Sequence, residues 1–168
     1  MSVNKVVACC LLLFAGHAAS QLRDADPDWR ESEVPVPPAF EASRMIQLDM
    51  PRHMAVKLGV DPETLRITPD GIVRYVMVAQ SPSGTVNATY EGIRCLTAEV
   101  KVYARYTASK VWTPVGNPEW KPLRNNQPSP HALAFARQGA CEGRSAVASS
   151  PQAIVRKLKE IELQYQHK

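Results

Sequence analysis

Lys101, Tyr103 and Arg105 alternate with Val100, Val102 and Ala104, so a strand through them would show two cations and a phenol on one side and small aliphatic groups on the other. Cations interleaved with aromatic rings can hold phosphate and stack on sugars or bases, and Lys110, Trp112 and Lys121 lie near enough in sequence to extend such a face. Edge lysines also deter aggregation, which gives the same composition without any ligand. Lys101, Tyr103, Arg105 and Trp112 are therefore the candidate binding residues.

A second group is set up for acid–base or anion chemistry. Glu91 and Arg94 flank Gly92, and an acid beside an anion clamp is the minimum a small hydrolase cleft would need. The plainer role for that pair is a local ion pair fixing a turn. Arg74 interrupts the apolar run Ile72–Ala79, and a buried guanidinium needs carboxylate or carbonyl partners, for which Glu91 is the expected one. Arg74, Glu91 and Arg94 are thus read as structural, and no catalytic residue is assigned. His53, His131 and His167 are scattered without metal-ligand spacing, and neither a glycine-rich phosphate loop nor a nucleophile elbow occurs, so no metal or cofactor is expected.

What the cysteines can do depends on compartment. Lys5 is followed by an apolar run from Val6 to Gly16 and then by Ala18-Ala19-Ser20, the charge, apolar core and small-residue site of a cleavable export signal. Residues 1–20 are read as that signal, cut near Gln21, with the mature chain in the periplasm. The run is about half the roughly 20 residues a membrane-spanning helix needs, so no permanent transmembrane anchor is expected. Cys9 follows a lipoprotein-like triplet but stands too close to Lys5 for the roughly 7–15 apolar residues that precede a cleavage site, which argues against lipidation. Cys9 and Cys10 leave with the signal. Cys95 and Cys141 remain, and in an oxidising compartment they have one possible pairing. The rival use, a cysteine nucleophile with His131 as its base, has no supporting local sequence.

Charge and breakers divide the rest. The whole chain carries a formal +4, but residues 21–44 hold six acids against three bases, while Met45 to Lys168 holds 16 bases against ten acids. A basic body of this kind suits an anionic envelope polymer or another envelope protein as partner, or is ordinary solvated surface. The export signal and the lack of a run of consecutive bases argue against nucleic acid. Pro27, Pro35, Pro37 and Pro38 keep the acidic arm extended, with Trp29 and Phe40 as its anchors. Residues 45–168 then form one domain.

The elements that must position these side chains follow from periodicity. Ile46, Leu48 and Met50, then Met54, Val56, Leu58 and Val60, alternate as half-buried strands, and Asp61-Pro62 opens a short helical turn. Pro69-Asp70-Gly71 predicts a turn into Ile72–Ala79, a central strand covered on both faces. Thr85–Tyr90 with Ile93–Cys95, and then Glu99–Tyr106 with Val111–Thr113, continue the sheet. Ser129-Pro130 caps a helix running to about Ala140 and ended by Gly143. Ser150-Pro151 opens another, with Ile154, Leu158, Ile161 and Tyr165 as its apolar stripe. The fold class is α+β, a mainly antiparallel sheet with two C-terminal helices packed on one face and one disulfide.

At Asp70-Gly71-Ile72-Val73-Arg74-Tyr75, and more specifically at Tyr90-Glu91-Gly92-Ile93-Arg94-Cys95, the chain resembles the family named after the cryptic neisserial protein. Similarity continues through Lys101-Val102-Tyr103-Ala104, Trp112-Thr113-Pro114 and Asn117-Pro118-Glu119-Trp120. The resemblance implies a small exported Gram-negative envelope protein and brings no catalytic residue with it. In that setting the sequon Asn87-Ala88-Thr89 is accidental. The functional expectation is a non-catalytic binding or envelope-support module, with a small envelope hydrolase built on Glu91 and Arg94 as the alternative.

Overall fold

The computed structural model describes residues 26–124, 130–143, 145–146 and 150–166; the export-signal region and the Ser129 cap lie outside them. The first two strands, β1 (Ile46–Gln47) and β2 (Lys57–Val60), are short. After β2, the Asp61 side chain accepts from Glu63 N and caps a single turn at Pro62–Thr64, as the Asp-Pro pair requires. Then come β3 (Arg66–Ile67), β4 (Ile72–Gln80), β5 (Val86–Arg94), β6 (Glu99–Tyr106), β7 (Trp112–Pro114) and β8 (Lys121–Pro122). All pairings are antiparallel, in the order β1-β2-β4-β5-β6-β7, with β3 also on β4 and β8 also on β6. Gly71 at φ 79° supplies the left-handed residue that turns the chain into β4. β4 is central and buried on both faces from Ile72 to Val78.

Two different layers cover the sheet. Helix α1 (Pro130–Phe135), the π-helical turn that follows it to Ala140, and helix α2 (Pro151–Gln166) pack on one face. There Phe135, Ala136, Ala140, Ile154 and Leu158 meet Val73, Tyr75, Met77 and Ile93. The α2 stripe is thus core at Ile154 and Leu158, both essentially inaccessible. Helical structure ends at Ala140, and Gly143 has another role: with φ 59° it turns the hairpin between β9 (Cys141–Glu142) and β10 (Ser145–Ala146). Cys95 and Cys141 are bridged, with their Cα atoms 5.6 Å apart, joining the end of β5 to the end of the helical turn.

The opposite face buries Val76, Val78, Ala88, Tyr90, Tyr103 and Ala104, and its cover is the acidic arm. Phe40 packs edge-on against Tyr106 and Trp112, with ring centroids 5.0 and 5.7 Å away. Asp61, fully buried, accepts from Glu41 N and from the Arg44 guanidinium, so the turn cap also holds the arm. Burial would raise the Asp61 pKa, but Arg44 and the backbone donors of Glu41 and Glu63 outweigh it and keep the carboxylate below its ordinary range. Among the described residues no helix is long and apolar enough to cross a membrane.

Candidate functional site: a groove beside a buried Glu–His pair

Alternation along β5 sends each residue of Tyr90-Glu91-Gly92-Ile93-Arg94-Cys95 to its own task. Glu91 and Ile93 face the helices; Tyr90, Gly92 and Arg94 face the arm. Glu91, with 1% of its surface exposed, accepts from Tyr75 Oη at 2.7 Å and Thr89 Oγ1 at 2.5 Å, and its Oε1 is 2.9 Å from His131 Nε2. Burial pushes the Glu91 carboxyl up, while the His131 charge and these hydrogen bonds pull it down, and the balance lies below the ordinary carboxylate value. His131 is the mirror case: burial lowers its pKa, the Glu91 carboxylate raises it more, Arg105 opposes, and the result lies above the ordinary value. Glu91 and His131 form a buried ion pair when the imidazole is protonated.

That pair borders a groove of about 290 Å³ between β6, the 115–124 segment and the start of α1. Arg105 enters it because β6 is bulged. The β5 partners run Glu91 with Val102 and then Tyr90 with Ala104, leaving Tyr103 as the extra residue. One added residue reverses alternation for everything after it. Lys101 and Tyr103 face the arm, Val100 and Val102 face the helices, and past the bulge Ala104 and Tyr106 turn to the arm while Arg105 turns to the groove. Lys121 and Arg124, both exposed, also line it, and Glu119 is an exposed acid beside them.

The expected binding face of Lys101, Tyr103, Arg105 and Trp112 is accordingly not one face. Tyr103 is 6% exposed and donates to Glu31 Oε1 at 2.7 Å, and Lys101 Nζ donates to Glu31 Oε2 at 2.8 Å. Trp112 packs with Phe40 and Tyr106. Only Arg105 of the four borders the groove. Gly92 makes the Tyr103 placement possible, because a Cβ there would stand 2.5 Å from the phenol oxygen. Burial and the Glu31 hydrogen bond raise the Tyr103 pKa far above normal, so it is a constant donor.

The expected ion pairs of Glu91 are corrected by the same alternation. Arg74 lies opposite Gly92, on the arm side, and Tyr75 lies opposite Glu91. Arg74, 1% exposed, donates to Ser32 O at 3.2 Å, Ser32 Oγ at 3.3 Å and Asp70 Oδ2 at 3.3 Å, with Glu31 3.7 Å away. Asp70 also accepts from Ser32 N and Ser32 Oγ, which ties the arm to the turn before β4. Arg94 stacks over the Trp29 ring, 3.6 Å from its centroid, and not against Glu91. A cleft containing both Glu91 and Arg94 does not exist, since the sheet lies between them.

His131, Tyr75 and Thr89 are the partners that sequence reasoning did not assemble. The available signal was Glu91 itself, an acid between the two strand runs Thr85–Tyr90 and Ile93–Cys95, which once buried needs donors from the next strand and the covering helix. Among the described residues no group of three or more His, Cys, Asp or Glu side chains has metal-holding geometry.

These positions predict opposite outcomes for two charge reversals. Lys101→Glu sets a carboxylate against Glu31 and should free the arm, seen as faster protease cleavage between Trp29 and Phe40. Arg105→Glu should leave arm cleavage at the parent rate. Equal cleavage of the two variants would contradict the assignment of Lys101 to the arm.

The fold and its cover define a class: an antiparallel sheet clamped between a disulfide-tethered helical layer and an acidic strap. The chain belongs to the CNP1-like family, whose model matches residues 24–159. It is 32% identical to cryptic neisserial protein 1 of Neisseria gonorrhoeae over an alignment covering 62% of this chain and 56% of that relative, so it spans little more than half the relative's length. No solved structure matches it.

Proposed function

We propose that this chain is an exported, periplasmic, non-catalytic binding module that takes an anionic component of the cell envelope into the groove between β6 and α1. One observation carries this reading: the bulge at Tyr103 aims Arg105 into a concavity that already contains His131 and is rimmed by Lys121 and Arg124. Bulges are a standard means of re-aiming a side chain beside a functional site, and a concave, mostly apolar site with a few convergent polar groups is the usual form of a small-ligand pocket. The buried Glu91 supports binding over hydrolysis. A general acid or base needs a carboxyl that can exchange its proton with substrate, whereas Glu91 is held ionised by three donors and enclosed. Export is supported by the charge, apolar run and small residues of 1–20.

The test pairs two measurements. Intact mass of the protein recovered from the periplasm should correspond to a start near Gln21 with no lipid. Amide shifts on titration with a panel of small anions should cluster at Val100–Arg105, Val115–Leu123 and His131–Leu133, and should weaken with salt. An uncleaved chain retained in the cytoplasm, or shifts confined to the arm side, would overturn the reading.

A further inference from the structure

We infer that the groove ligand is a small aliphatic anion, whose charged head lies between Arg105 and His131 and whose chain runs along Val102 and Val100 toward Leu123 and Leu133. This rests on the groove being a binding site and specifies what it binds. The walls are the first reason. Val100, Val102, Val115, Leu123 and Leu133 line the groove, and among the described residues no phenylalanine, tyrosine or tryptophan does. Sites for sugars or bases rely on flat rings for stacking, and the tryptophans and tyrosines that could provide them are committed elsewhere: Trp29 to Trp120 and Arg94, Trp112 to Phe40 and Tyr106, Tyr103 to Tyr90 and Glu31. Branched aliphatic walls instead match a hydrocarbon chain, whose removal from water favours binding.

Charge is the second reason. With His131 protonated the Glu91–His131 pair carries no net charge, and Arg105, Lys121 and Arg124 outnumber Glu119 around the opening. Arg105 is the cation with the fork geometry that suits a carboxylate or phosphate, and the bulge places it on the same side of β6 as Glu91 and its His131 partner. Size is the third. A volume of about 290 Å³ lies at the small end of ligand pockets, enough for one short-chain molecule and too little for a folded polymer segment.

The experiment titrates the full mature protein with octanoate, octyl phosphate, 1-octanol and glucuronate, followed by calorimetry and by amide shifts at Val100–Arg105 and His131–Leu133. Octanoate or octyl phosphate should bind, 1-octanol should bind more weakly, and Arg105→Gln should weaken the charged ligands by roughly tenfold or more, the value of one charge-assisted hydrogen bond. The two charged arms tell a carboxylate head from a phosphate head. Leu123→Trp, at the groove edge, should block the chain while the near-ultraviolet dichroism of the fold persists; Val115→Trp serves the same purpose if the first variant does not fold. Glucuronate binding in the groove while both octyl anions fail would overturn the aliphatic ligand and leave the groove standing. Failure of every compound to move groove signals would overturn both. Equal affinity of octanoate for parent and Arg105→Gln would overturn the placement of the head.

Discussion

Glu91→Ala is expected to lower the stability of the fold by about 3–5 kcal/mol, the usual result of deleting one member of a buried, hydrogen-bonded ion pair. The size follows from what is left behind. Tyr75 Oη, Thr89 Oγ1 and His131 Nε2 all lose their shared acceptor, and Tyr75 has no exposure through which water could replace it. Glu91→Gln keeps the shape and one carbonyl acceptor, so it should cost less, and His131 should then titrate at a lower pH because the carboxylate that raised it is gone. Chemical denaturation gives the first quantity and the proton resonances of the imidazole ring give the second. An unchanged denaturation midpoint in Glu91→Ala would mean that this carboxylate does not organise the interior.

The same pair sets a pH dependence whose sign can be worked out. The Glu91 carboxyl is lowered from an ordinary 4.5, so its contribution is present above that value and is lost as pH falls through the lower folded value. His131 is raised from an ordinary 6.5, so its contribution is complete below that value and is lost as pH rises through the higher folded one. The pair therefore stabilises most between about 4.5 and 6.5. The difference in stability between parent and Glu91→Ala should shrink on both sides of that window.

Much of the sheet was legible because local chemistry and tertiary role agree. Asp61-Pro62 caps a turn, Gly71 leads into the central strand, Val73, Tyr75 and Met77 alternate with Arg74, Val76 and Val78, and Ser150-Pro151 opens the last helix. The CNP1-like resemblance at Tyr90–Cys95 was equally readable. The candidate site was not, and a single residue explains most of the difference. Strict alternation along Glu99–Tyr106 assigns Lys101, Tyr103 and Arg105 to one side, whereas the extra residue at Tyr103 divides them. Nothing in the local composition marks that bulge, because its cause is tertiary: the Tyr103 ring lies over Gly92, on a neighbouring strand, and its hydroxyl reaches Glu31, 72 residues away. Arg74 shows the same limit. Its need for an acid was evident, but choosing Asp70 and the arm over Glu91 required knowing that Tyr75, and not Arg74, lies opposite Glu91.

Removing the Cys95–Cys141 bridge is the other change with a large expected effect. The two residues are 46 apart, and in the chain-entropy description closing a loop of that length destabilises the unfolded chain by about 4 kcal/mol. A domain of this size has a total stability of roughly 5–15 kcal/mol, so the loss is a large share of the whole. The effect should also be uneven. The bridged segment contains β6, β7, β8 and α1, and with them every groove-lining residue except Glu91, while β4 lies outside it. In the Cys95→Ala, Cys141→Ala double variant, amide exchange should therefore rise more in α1 and at Leu123, whose N–H donates to Ala98 O beside β8, than in β4, whose hydrogen bonds on both sides survive. Denaturation of the parent with and without reductant should reproduce the stability loss without any substitution. If the parent's midpoint does not respond to reductant and both thiols alkylate freely in unreduced native protein, the bridge is not holding the groove walls to the sheet.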